Sequence, residues 1–173
     1  SDANAARFAS LSSLPFRFGG CGLRSATQTA TAAYWASWAD ALPVLRSRCP
    51  DHARRFLLEL DSPGTSTNEC LREAAAARDH LVACGFGDCP QWAQLWEGLR
   101  PEQAEDREPG EWEHGWQYFA SKAVEVRRRV GIHTDLDPAG KYLLDSQSGP
   151  CSGRHLSLVP VSPESSFTPE RFR

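Results

Sequence analysis

The chain has 173 residues, 40% hydrophobic and 24% charged, with a formal net charge of −3. That is the size of one ordinary domain, able to bury roughly 70% of its unfolded surface without a disulfide or a metal. Even the least polar run, Ala30 to Leu42, contains Ser37 and Asp40, so no membrane-spanning helix is expected, and 19 basic against 22 acidic residues create no global field for nucleic acid or anionic lipid.

Arg outnumbers Lys by 17 to 2 and Met is absent, position 1 included, so the chain reads as a processed product or a piece of a longer protein. The first 20 residues lack the basic-then-apolar layout of a secretory signal. An intracellular setting, organelle or nucleus included, is therefore expected.

Ser25 reads as the N-cap of a helix over Ala26 to Leu42. In it Ala30, Ala33, Tyr34, Ser37, Trp38 and Ala41 recur at three- and four-residue spacing, which puts Tyr34 and Trp38 in the expected core. Pro43 should stop or kink that helix. Asp51 caps a short helix through Leu60, with Phe56, Leu57 and Leu60 apolar, closed by the turn Asp61-Ser62-Pro63-Gly64. Thr67 opens a third, Asn68 to Cys84. Glu69, Arg72, Glu73 and Arg78 mark its wet side and Cys70, Leu71, Ala74, Leu81 and Val82 its dry side, with Gly85 where a left-handed cap needs glycine. Pro90 suits the start of a short helix carrying Trp92, Leu95, Trp96 and Leu99, ended by Pro101.

From Glu102 to Glu113 six acids face Arg107 alone, with Pro109-Gly110 among them. Residues 101–111 therefore read as an acidic connector between an N-terminal helical unit, 1–100, and a C-terminal helix with an extended Ser/Pro-rich tail, 112–173. In the latter, Trp112, Trp116, Phe119, Ala123, Val126 and Val130 share one face of a long helix ending at Gly131, with Lys122, Glu125, Arg127, Arg128 and Arg129 on the others. A short helix, Pro138 to Ser146, carries Tyr142, Leu143 and Leu144. A turn at Gly149 to His155, an extended apolar piece from Leu156 to Val161 and a helical start at Thr168-Pro169 complete the tail. Strand signals are scarce, so the expected fold is mainly α, an irregular multi-helix bundle with long loops and little or no sheet.

No nucleophile elbow, phosphate loop or His-Glu-x-x-His pair occurs, so no catalytic residue and no cofactor is assigned and no enzyme is expected. His80, His114 or His133 would matter only in a deep pocket beside a carboxylate. Gly19-Gly20-Cys21-Gly22 resembles a phosphate cradle superficially, but without a preceding strand or a following Lys it reads as a tight turn before Ser25. Cys21, Cys49, Cys70, Cys84, Cys89 and Cys151 permit many disulfide pairings. Cys84, Cys89, Cys151 and His155 would suit zinc only without the usual Cys-x2-Cys spacing. Free thiols on buried helix faces, with no metal, are expected.

The tryptophan pairs Trp35/Trp38, Trp92/Trp96 and Trp112/Trp116 each lie on one helix face, as packing requires, and Trp92, Trp96, Trp112 and Trp116 flank the acidic connector as candidate protein-interface residues. Lys122, Arg127, Arg128, Arg129 and Arg154 are the candidate phosphate contacts, enough for weak nucleic-acid binding lost steeply with salt.

The string Leu14-Pro15-Phe16-Arg17-Phe18-Gly19-Gly20-Cys21-Gly22-Leu23-Arg24-Ser25-Ala26, followed by Ala32 to Asp40, resembles the segment after the polymerase domain in non-LTR retrotransposon reverse transcriptases. Cys21 departs from that pattern, in which leucine is usual. Leu144 to Arg154, Val159 to Pro163 and Phe172-Arg173 are similar to the same proteins further on. The paired-aspartate polymerase motif is not in this chain, nor are the basic helix, the Cys/His cluster and the endonuclease that follow in many relatives. The resemblance thus implies a helical connector, with template RNA or target DNA as what it would touch, and no inherited activity. The expected function is a non-catalytic helical interaction module, a structural or accessory subunit among other protein subunits of a larger complex. The alternative is a nucleic-acid-contacting connector of such a reverse transcriptase.

Overall fold

The computed structural model describes residues 2–23, 25–103, 113–150 and 152. Among them the chain forms α1 Asp2–Ser12, α2 Ala26–Arg48, α3 Pro50–Asp61, α4 Glu69–Ala83, α5 Trp92–Trp96, α6 Trp116–Asp135 and α7 Pro138–Ser146, with a 3-10 turn at Pro63–Thr65. Extended pairing among the described residues is one isolated antiparallel bridge, Phe18 to Ser148. The fold is mainly α, as the apolar periodicity leads one to expect. Two compact units form: a central one, residues 24–134, and a terminal one, residues 1–23 with 135–173. The acidic connector lies within the central range, residues 104–112 falling outside the described residues, as do Leu156 to Val161 and Thr168-Pro169.

In the central unit α2 lies against α3, α4 and α5. Its buried stripe is Ala32, Trp35, Ala36, Ala39 and Leu42, on nearly the opposite face from the stripe the spacing suggests. Alanines at 32, 36 and 39 let neighbouring backbones approach, and the Trp35 ring fills the centre edge-on to Phe86 at 5.5 Å and Trp116 at 5.8 Å. Tyr34 and Trp38 are half-buried at the rim: the Tyr34 hydroxyl donates to Cys70 O at 3.0 Å, and Trp38 packs edge-on to Phe56. The helix also runs through Pro43 to Arg48. Leu42 before the proline is fully buried, and Arg46 after it reaches Glu97 at 2.7 Å, so contacts on both sides offset the lost backbone bond.

Asn68, rather than Thr67, caps α4, its Oδ1 accepting from Cys70 N–H at 3.0 Å. The loop before it is locked by buried Ser66, whose Oγ donates to Glu59 Oε2 at 2.6 Å while its carbonyl accepts from Arg72 Nη1 at 3.1 Å. The buried side of α4 is Leu71, Ala74, Ala75, Ala77 and Leu81; Cys70 and Val82 are exposed, contrary to expectation. Gly85, with φ of +92°, closes the helix as expected. In α6 the buried residues are Trp116, Ala120 and Val124, a four-residue row joining the core cluster, with Glu125 beside it; Val126 and Val130 are exposed, and the helix passes Gly131 to end at Asp135.

The described cysteines are free, and Cys21, Cys49 and Cys70 are exposed rather than on buried faces; Cys89 is buried. Burial pushes the Cys89 thiol up to about 11 against the opposing pull of the Arg78 guanidinium, which donates to Pro90 O at 3.0 Å. Near pH 8 Cys89 should alkylate about a hundredfold more slowly than the exposed thiols, read by mass spectrometry of the labelled peptides. Because the native thiol keeps its proton after the unfolded one has lost it, stability should be full below about pH 9 and fall as pH rises towards 11.

Candidate interaction surface

The terminal unit is built from two stretches far apart in the chain. After α1, Leu14 is fully buried and the backbone folds back on itself. Phe18 N–H donates to Pro15 O, Gly19 N–H to Phe16 O, Gly20 N–H to Pro15 O and Gly22 N–H to Leu14 O, all between 2.9 and 3.2 Å. These amides are spent inside the turn, so the glycine string is a structural turn and not a phosphate cradle. Gly149 N–H then donates to Arg17 O at 3.0 Å, beside the Phe18–Ser148 bridge. Glycine is needed here for space: a Cβ on Gly19 would lie 2.8 Å from Leu144, and one on Gly20 2.1 Å from Leu14 O.

This assembly leaves a groove of about 450 Å³ between α1 and α7, walled by Phe8, Leu11, Leu136, Leu143 and Leu144, with Arg7 its one charged lining residue. Two of its lining side chains are open to solvent, Phe8 at 72% and Leu143 at 56% exposed; elsewhere in the same unit Tyr142 is 78% and Leu23 65% exposed.

The central unit places the tryptophans differently from the sequence expectation. Trp92 and Trp116 are buried in the core cluster with Trp35 and Leu95, so they pack this chain's own helices rather than a partner. A four-residue spacing marks a buried face without saying whose atoms bury it. Trp96 is half-buried under the Arg46 guanidinium, 5.6 Å from its ring centre, while Arg46 also donates to Trp96 O at 3.2 Å. Trp112 lies outside the described residues.

The basic cluster does not converge on one open surface. Lys122 and Arg127 are exposed, whereas Arg128 and Arg129 are half-buried. Burial lowers the Arg128 pKa, opposed by nearby Glu125. Arg154, like Cys151 and His155 of the zinc alternative, lies outside the described residues.

A cleft of about 630 Å³ opens between α2 and the loops at 98–103 and 113–115, and its lining includes Asp40, Arg100, Glu113 and His114. Burial raises the Asp40 pKa, opposed by Arg100. Gln103 clasps the His114 backbone, accepting from its N–H at 2.9 Å and donating to its carbonyl at 2.9 Å, and the His114 ring stacks on Tyr118 at 3.7 Å. A histidine beside carboxylates is thus present, but the cleft's described lining contains no Ser, Thr, Cys or Lys that could act as a nucleophile. The tie between Gln103 and His114 and the stacking of Arg46 on Trp96 join residues distant in sequence, and no local pattern announces them.

No family model, curated protein or solved structure matches the chain. No described helix is long and apolar enough to cross a membrane.

Proposed function

We propose that this chain is a non-catalytic helical interaction module, a structural or accessory subunit of a larger protein assembly, with a sequence of retroelement type. The observation that carries the reading is the apolar groove of the terminal unit, whose lining side chains Phe8 and Leu143 stand in solvent. Monomeric proteins rarely leave such side chains clustered, and surfaces of this kind mark protein contacts.

One observation favours the second reading, a connector of a non-LTR reverse transcriptase. The two stretches that resemble those proteins are hydrogen-bonded to each other, Gly149 to Arg17, so they would travel as one structural element. Any contact with nucleic acid would then rest on Lys122 and Arg127, the exposed cations of the α6 cluster.

A salt titration of RNA binding by the full chain separates the two. The interaction reading expects a dissociation constant no tighter than about 1 µM at physiological salt, with a log–log salt slope of about −1 to −2 from those two cations. Binding in the nanomolar range that resists salt would overturn it in favour of the connector.

A further inference from the structure

We propose that His80 and Cys84 form a chelate on α4 for a borderline divalent transition metal ion, zinc foremost. Cysteine spacing suggests Cys89 as the partner of Cys84, but Cys89 is buried, and it is His80 whose Nε2 lies 3.4 Å from Cys84 Sγ. Residues four apart on a helix share one face, so the two donors stand together. A tetrahedral zinc ion with sulfur at about 2.3 Å and nitrogen at about 2.0–2.1 Å holds those two atoms about 3.6 Å apart. The pair is therefore at chelating distance before any ion arrives.

Its setting favours a cation. Cys84 is the C-cap of α4, its N–H donating to His80 O at 2.9 Å, and Phe86 N–H donates to Leu81 O at 3.0 Å across Gly85. The thiol packs on the central core, whereas His80 is exposed and can turn onto an ion without unpacking anything. The carbonyl end of a helix carries partial negative charge, which attracts a positive ion there.

Burial raises the Cys84 pKa, opposed by Arg127, so the free thiol keeps its proton beside the imidazole. Metal takes the place of that proton: the S–H bond breaks, a sulfur–metal bond forms, the proton leaves to solvent, and neutral His80 donates its Nε2 lone pair. A nitrogen and sulfur pair suits zinc, whereas calcium and magnesium take oxygen. No third His, Cys, Asp or Glu joins the pair among the described residues, so water completes the coordination. His80 borders a recess of about 700 Å³ between α2 and α4, where Ala30, Ala33, Ala76 and Ala77 leave room for it. The site lies in the central unit and stands independently of the interaction reading.

A zinc titration of the full reduced chain from about 1 to 100 µM, with alkylation of each cysteine followed by mass spectrometry, tests this. At saturation Cys84 should alkylate at least about tenfold more slowly, while the exposed Cys21, Cys49 and Cys70 change by less than about twofold. His80→Gln, at an exposed position, should abolish the protection and leave helix content by circular dichroism unchanged. Cobalt(II) supplies a second readout, a thiolate-to-cobalt charge-transfer band that Cys84→Ser should remove. Cys84 left unprotected by zinc overturns the proposal, as do equal protection of the exposed thiols, protection that survives His80→Gln, or a cobalt band that survives Cys84→Ser.

Discussion

Trp35→Ala is expected to destabilise the chain by about 3–5 kcal/mol, measured by denaturant unfolding followed through helical circular dichroism. Trp35 is fully buried, and its ring is the shared neighbour of Phe86 and Trp116, so truncation opens a cavity where α2 meets α6. Its indole nitrogen is buried with no hydrogen-bond partner among the described residues. Trp35→Phe keeps most of the volume and removes that stranded donor, so its cost should stay below about 1.5 kcal/mol. Trp38→Ala removes a half-buried ring at the rim and should cost less than Trp35→Ala, near the low end of about 1–3 kcal/mol. If Trp38→Ala proved the more damaging, the register of α2 described above would be wrong.

Gly20→Ala is the second large effect. The new methyl would lie within 2.6 Å of the Leu14 backbone, and backbone cannot rotate away as a flexible side chain can. The turn must move, which breaks the hydrogen bonds from Gly20 and Gly22 back to Pro15 and Leu14 and disturbs the pairing of Arg17 with Gly149. A cost of about 1–3 kcal/mol is expected, confined to the terminal unit. Amide exchange resolves it locally: the Gly149 N–H should lose protection in Gly20→Ala while amides of α4 keep theirs.

Much of the helical layout was legible because caps and breakers are local. Gly85 and the Asp61 to Gly64 turn mark their ends correctly, since each acts through its own backbone geometry, whereas the helix expected to open at Pro90 starts at Trp92 with Gln91 as its N-cap. The face of α2 was not legible. Tyr34, Trp35 and Trp38 lie among many alanines, two stripes on nearly opposite faces fit the period, and the choice falls to the partner helices. α1 went unread because Phe8 and Leu11 are too few to set a period. The glycine string was legible as a turn, yet the reason for glycine at position 19 is Leu144, more than a hundred residues away. The groove arises only once those two segments meet, and no periodicity encodes it. Trp92 and Trp116 carried the expected interface, but a tryptophan pair at helical spacing signals burial alone, and here the chain buries both itself.

The most direct test of the interaction reading places a photo-crosslinking phenylalanine derivative at Phe8, the most exposed large apolar side chain lining the groove, in the full chain within its native cells. Irradiation should yield adducts that survive nuclease and disappear with protease, and the same probe at Val130 should yield few. Adducts at Phe8 that nuclease removes, or no adduct at all, would contradict the account.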